Sequence, residues 1–169
     1  MKKIFAAVLS LAFVALPSFA QKMSKEEKAA AAKASYEAAL AAINAKAWVL
    51  IPSSYQLEDG SMESNDNNDI FLSYEGENAF SQGAVVCGNG NTNIGEASSY
   101  DVTVDKKGNI KLLMVISGRM WRGTYKISIK NSSNQADVIF TQQSGPTLRF
   151  QGPVIPLAEA SYNKRSNPI

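Results

Sequence analysis

The chain has 169 residues, 17 basic and 15 acidic side chains, a formal net charge of +2, one cysteine and no histidine. That composition excludes an internal disulfide, a Ser-His-Asp or Cys-His nucleophilic site and the usual histidine-held transition metals. The length suits one domain with a core of its own.

The first segment is a leader. Lys2 and Lys3 open it, Ile4 to Leu16 is an almost unbroken apolar run, and Pro17 closes the run ahead of Ser18-Phe19-Ala20. This pattern is that of a secretory signal peptide, residues 1–20, cut after Ala20. A spanning helix needs roughly 20 apolar residues. Here the run is shorter and is followed by Gln21, Lys22, Ser24, Lys25, Glu26 and Glu27. The expectation is an exported protein, periplasmic or secreted, with no transmembrane segment. Cys87 lies far from the cut, so no lipid anchor is expected either. The leader carries two lysines and no acid, so its loss leaves basic and acidic residues in balance. A neutral chain has no long-range field for a polyanion, which argues against nucleic acid as a partner.

Ser24 to Ala47 reads as one helix, rich in alanine, the best helix former. Ser24 and Glu27 have capping-box spacing, and Tyr36, Leu40, Ile43 and Ala47 form one apolar stripe. Lys25 to Lys33 offers only alanines for an apolar face, so the first half is expected to be weakly anchored. From Trp48 the apolar residues recur every second position. Ile70, Leu72 and Tyr74 share a face, as do Tyr100, Val102 and Val104, and Ile110, Leu112, Met114 and Ile116. Trp121, Gly123, Tyr125, Ile127 and Ile129 follow, then Ala136, Val138 and Phe140, then Leu148 and Phe150. Each run predicts a half-buried strand. The short turns between them, such as Asp105 to Asn109, require antiparallel pairing. Gly123 would ease a sharp bend. Ala84, Val85 and Val86 also read as strand and place Cys87 in the interior. Glu58 to Asp69 and Gly88 to Ser99 read as polar surface loops. Residues 153–169 hold three prolines and no period, and read as an extended or loose tail.

The predicted class is α+β, mainly β: an N-terminal helix followed by an antiparallel meander that forms a curled sheet or an up-and-down barrel, as a single domain over residues 21–152. The pattern resembles the secreted Bacteroidetes family known as domain of unknown function 4251. The resemblance rests on Ala47-Trp48-Val49-Leu50, Asn68-Asp69-Ile70-Phe71-Leu72 and the glycine-rich Gly88 to Gly95. It continues through Tyr100-Asp101-Val102-Thr103-Val104-Asp105-Lys106-Lys107-Gly108-Asn109-Ile110, Ala136-Asp137-Val138 and Leu148-Arg149-Phe150-Gln151-Gly152. It implies an exported domain with a helix and a lipocalin-like barrel. It supplies no catalytic residue, because the family has no assigned activity.

No phosphate-binding glycine loop with its lysine occurs, and Gly88-Asn89-Gly90 does not precede a helix pattern. The acidic run Asn65 to Asp69 lacks the spacing of a calcium loop. No catalytic residue, metal ligand or cofactor is predicted. Trp121, Tyr125, Tyr100, Tyr74 and Phe150 point inward if the sheet closes, and could line a cavity for one small apolar ligand. The functional expectation is therefore an exported, non-enzymatic binding module holding such a ligand. The alternatives are a protein–protein interaction or envelope-associated module, and a carbohydrate-active hydrolase built on paired carboxylates.

Overall fold

A computed structural model describes residues 23–169, so the predicted signal peptide lies outside the described residues. Helix α1 runs from Lys25 to Asn44. Its capping box is formed as the spacing predicts: Glu27 N donates to Ser24 Oγ at 3.1 Å and Ser24 N donates to Glu27 Oε2 at 2.7 Å. Lys25 to Ala31 are exposed, and burial begins with Ala39, Ala42 and Ile43. The helix stops short of Ala47 because Lys46 takes a left-handed φ of 54°, which turns the chain into the first strand.

Ten strands follow: β1 (Ala47–Leu50), β2 (Ser54–Gln56), β3 (Met62–Ser64), β4 (Phe71–Glu75), β5 (Asn78–Gln82), β6 (Thr92–Val104), β7 (Ile110–Gly118), β8 (Arg122–Ile129), β9 (Gln135–Gln142) and β10 (Thr147–Pro156). Every pairing is antiparallel, in the order β1-β4-β5-β6-β7-β8-β9-β10. The pairs Trp48–Pro156, Val49–Ile155 and Leu50–Val154 then join β1 to β10 and close an eight-stranded barrel. The short β2–β3 hairpin continues along the same edge of β10 beyond β1. The sheet is therefore a closed barrel rather than an open, curled sheet.

The alternation read in β6 to β10 decides which side chains enter the barrel. Ile110, Leu112, Met114 and Ile116 face Tyr125, Ile127 and Ile129, then Ala136, Val138 and Phe140 across the register. In β6 the register shifts between Ala97 and Ser99, which keeps both Ala97 and Tyr100 on the inner side. Gly123 sits where strands crowd. A Cβ there would collide with the Thr141 carbonyl of β9 and lie 2.7 Å from the Phe140 ring.

Three local expectations are corrected. Ala84, Val85, Val86 and Cys87 form a single helical turn, α2, closed by Gly88 at φ 79°, instead of a strand. Two buried faces in sequence, Val86 and Cys87, look like strand core, but the turn serves as a plug in one barrel end. The polar stretch from Glu58 contains β3, and the segment from Gly88 becomes β6 at Thr92, so its loop is only 88–91. Finally, β10 continues past Gly152 to Pro156, and residues 157–169 are bound down as an extended strap. The strap begins with a short 3-10 turn, Leu157–Glu159, against β1 and then crosses the outer faces of β4 and β5.

Candidate functional site

The five aromatic residues singled out in the sequence all lie on the inner face, in two groups plus Phe150. At the end plugged by α2, Trp121 and Tyr125 are buried, and Trp121 Nε1 donates to Tyr125 Oη at 2.9 Å. Tyr125 Oη in turn donates to the Val86 carbonyl at 2.7 Å. The Tyr125 ring stacks on Phe140, with centroids 4.0 Å apart and planes at 10°. At the end covered by α1, Trp48 Nε1 donates to Tyr100 Oη at 2.8 Å, and that hydroxyl donates to the Ile43 carbonyl at 2.7 Å. Tyr74 meets Tyr100 edge to face at 4.8 Å. The Lys46 ammonium lies 5.1 Å from the Tyr100 centroid and 5.9 Å from that of Tyr74, so the left-handed turn also places a cation over the rings. Phe150 is buried on β10 within the same core.

Each chain of bonds starts on an indole, passes through a phenol and ends on a helix carbonyl. The polar atoms of these aromatics are thereby satisfied within the protein. Burial raises the phenol pKa of Tyr125 and of Tyr100 well above the ordinary value, so both stay protonated donors. The sequence reading missed Trp48 and Phe140 as members of the set. Trp48 lies in the first strand two residues before Leu50 and Phe140 shares the alternation of Val138, so period two was signal enough for both.

Cys87 carries the buried thiol of the described residues. Its thiol lies 3.2 Å from the Gly83 carbonyl and 3.3 Å from Asn93 Nδ2. Burial raises its pKa above the ordinary thiol value, against the hydrogen bond from Asn93. A protonated thiol is a poor nucleophile. Among the described residues, no three Cys, Asp or Glu side chains come together as a metal cluster would require.

A family model described as domain of unknown function (DUF4251) matches residues 30–154. The chain belongs to the DUF4251 family. It is also similar to a solved structure, that of a DUF4251 family protein from Bacteroides eggerthii, with a TM-score of 0.68 and 24% identity. The similarity covers 78% of this chain and 93% of that one. At such identity it speaks for the fold alone. No curated protein matches the chain. The five inward aromatics fall inside the DUF4251 span, whereas the strap lies beyond it.

Outside the barrel the described concavities are open grooves. One of about 440 Å³ lies over β7, β8 and β9, among Val115, Arg122, Thr124, Thr141 and Gln143. Another of about 360 Å³ lies over β6, β7 and β8, among Asp101, Lys111, Leu113 and Lys126. Both are lined mainly from the outward-facing positions, where apolar and charged side chains mix. In this DUF4251 domain these two grooves lie outside the barrel wall, while a groove of about 390 Å³ beside Lys46 reaches Tyr74 and one of about 180 Å³ reaches Phe150.

Proposed function

We propose that this DUF4251 chain is an exported, non-enzymatic binding module that meets its partner on the outside of a filled barrel. The observation that carries the reading is the closed set of interior hydrogen bonds, Trp121–Tyr125–Val86 and Trp48–Tyr100–Ile43. A small apolar ligand among Trp121, Tyr125, Tyr100, Tyr74 and Phe150 would have to separate rings in van der Waals contact and leave buried donors unpaired, at about 1–3 kcal/mol each. Interaction with another protein is therefore favoured over the lipocalin-like storage of a small molecule. The lack of histidine and the protonated Cys87 thiol support a role without catalysis. The apolar leader ending at Ala20 supports export.

Native mass spectrometry of protein expressed with its leader and purified without denaturation tests the filled interior and the export. The expected mass is that of a chain beginning at Gln21 with no adduct. A retained apolar ligand would overturn the outer-surface reading, and an uncut leader would overturn export.

A further inference from the structure

The outer surface of this barrel is not uniform. Over β7 to β9 the outward positions mix Lys111, Arg122, Thr124, Lys126, Ser128 and Asp137 with Leu113, Val115 and Ile139, and none of these is buried. Over β1, β4 and β5 they carry Val49, Phe71 and Phe80, and the first two are fully buried although they point away from the core. The strap covers them. Its initial 3-10 turn lies against β1, Tyr162 meets Phe71 edge to face at 4.7 Å, and the Lys164 ammonium lies 3.9 Å from the Phe80 centroid.

What holds the strap has the form of peptide recognition. Two side chains, two residues apart, converge on one carboxylate: Tyr162 Oη donates to Glu75 Oε1 at 2.8 Å and Lys164 Nζ to Glu75 Oε2 at 2.6 Å. The residues between and after them are read through their backbone. Gln82, fully buried, donates from Nε2 to the Asn163 carbonyl at 3.0 Å and accepts at Oε1 from Arg165 N at 3.0 Å. Its amide therefore does what a neighbouring strand would do. Beyond the end of β7, the edge of β6 is free, and Ile169 fills it: Ile169 N donates to Thr92 O at 2.9 Å and Ile94 N donates to Ile169 O at 3.1 Å. Backbone pairing that fixes an extended chain, with pockets for alternate side chains, is the strand-addition mode of peptide binding.

We propose that the outer groove of β4, β5 and the free edge of β6 is a peptide-recognition site for an aromatic-x-Lys segment, filled in cis by residues 162–169, and that it takes the same segment from a second copy of this chain. The inference rests on the outer-surface reading above and names its partner. The strap joins the barrel through Leu157 to Ser161, whose one backbone hydrogen bond within the turn is a long one, Ala160 N to Leu157 O at 3.4 Å. A short connector of this kind is where segments exchange between copies. A tethered segment has an effective concentration in the millimolar range, so the cis strap excludes a second copy until its own grip is weakened.

Charge reversal in the full chain separates cis from trans. In E75K the groove and its own strap both carry a lysine at the contact, and in K164E both carry an acid. Each variant alone is expected to be monomeric, with a loosened strap. Mixed, each strap finds an opposite charge only on the other molecule. The expected result is a heterodimer in native mass spectrometry and size-exclusion chromatography, at least about tenfold more abundant than either homodimer. The double variant E75K/K164E is expected to return to a monomer. A mixture of folded variants that stays monomeric would overturn the proposal. Should E75K fail to fold, K164E alone decides. A labelled peptide spanning Ser161 to Ile169 should bind K164E saturably, and the same peptide with Lys164→Glu should not. Absence of binding, or equal binding of the two peptides, would overturn the groove. Failure here leaves the outer-surface reading intact, because that reading falls only on an interior ligand.

Discussion

Tyr125 is a single phenol with two jobs, and its hydroxyl is the joint between the barrel wall and the plug. It accepts from the Trp121 indole and donates to the α2 carbonyl, so removing one oxygen strands two buried groups. Tyr125→Phe is expected to lower stability by about 1–3 kcal/mol while leaving ring stacking on Phe140 in place, which urea denaturation followed by tryptophan fluorescence measures. A smaller loss would mean that the plug is held by Val86 packing alone. Glu75 is the corresponding joint on the outside. Burial acts to raise its carboxyl pKa, but hydrogen bonds from Lys164, Ser73 and Tyr162, with the Lys164 charge, win and hold it below the ordinary value. A carboxylate depressed in the folded state stabilises fully above its unfolded pKa of about 4.3, and the contribution is lost as pH falls through the lower folded value. The strap should therefore loosen in acid. The amide NMR signals of Asn163 and Arg165 are expected to move towards unstructured positions below about pH 4. Glu75→Gln should flatten that titration. Retention of the full titration in the glutamine variant would assign it to another group.

The elements differ in how firmly they are attached. α1 is one helix by hydrogen bonding but two by packing, since its first turns touch solvent and its last turns bury Ala39, Ala42 and Ile43. Losing an N-cap costs typically ~1 kcal/mol. In Ser24→Ala that cost should fall on the unanchored turns, so helical circular dichroism drops while the thermal midpoint moves by less than about 2 °C. A larger shift would show that the exposed half supports the barrel. The same contrast explains what the sequence made legible. β7, β8 and β9 bury one face and solvate the other, so period two reveals them at once. β4 buries both faces, Leu72 and Tyr74 inside and Phe71 and Ser73 under the strap, so only half of its pattern is visible. β5 hides more fully, with polar Ser81 inside and Phe80 outside. α2 escapes because one turn is too short to show a period.

At the scale of the molecule, closure depends on the chain's two distant strands, β1 and β10, which meet over only three pairs. Hairpin logic predicts neighbours along the meander, and it recovers β6 to β10 in order. It has no term for a first strand meeting a last, nor for a strap whose contacts lie some eighty residues back at Glu75 and Gln82. That is why an open sheet and a barrel were equally compatible with the alternation, and why the bound strap read only as an extended or loose tail. The aromatic set was found because inward position follows from alternation alone. Whether such a set lines a void or fills one depends on ring-to-ring distances, which no spacing encodes.

The β2–β3 hairpin has a further consequence. A closed barrel has no strand ends for another chain to copy, but this hairpin leaves β3 with one unpaired edge. Met62 on it is half exposed, and Leu57 beside it is 40% exposed. The edge is three residues long and carries Glu63 at its centre. Any sheet that tried to grow from it would be short and would repeat a negative charge at every layer. The described chain is thereby guarded against fibril growth from the β3 edge.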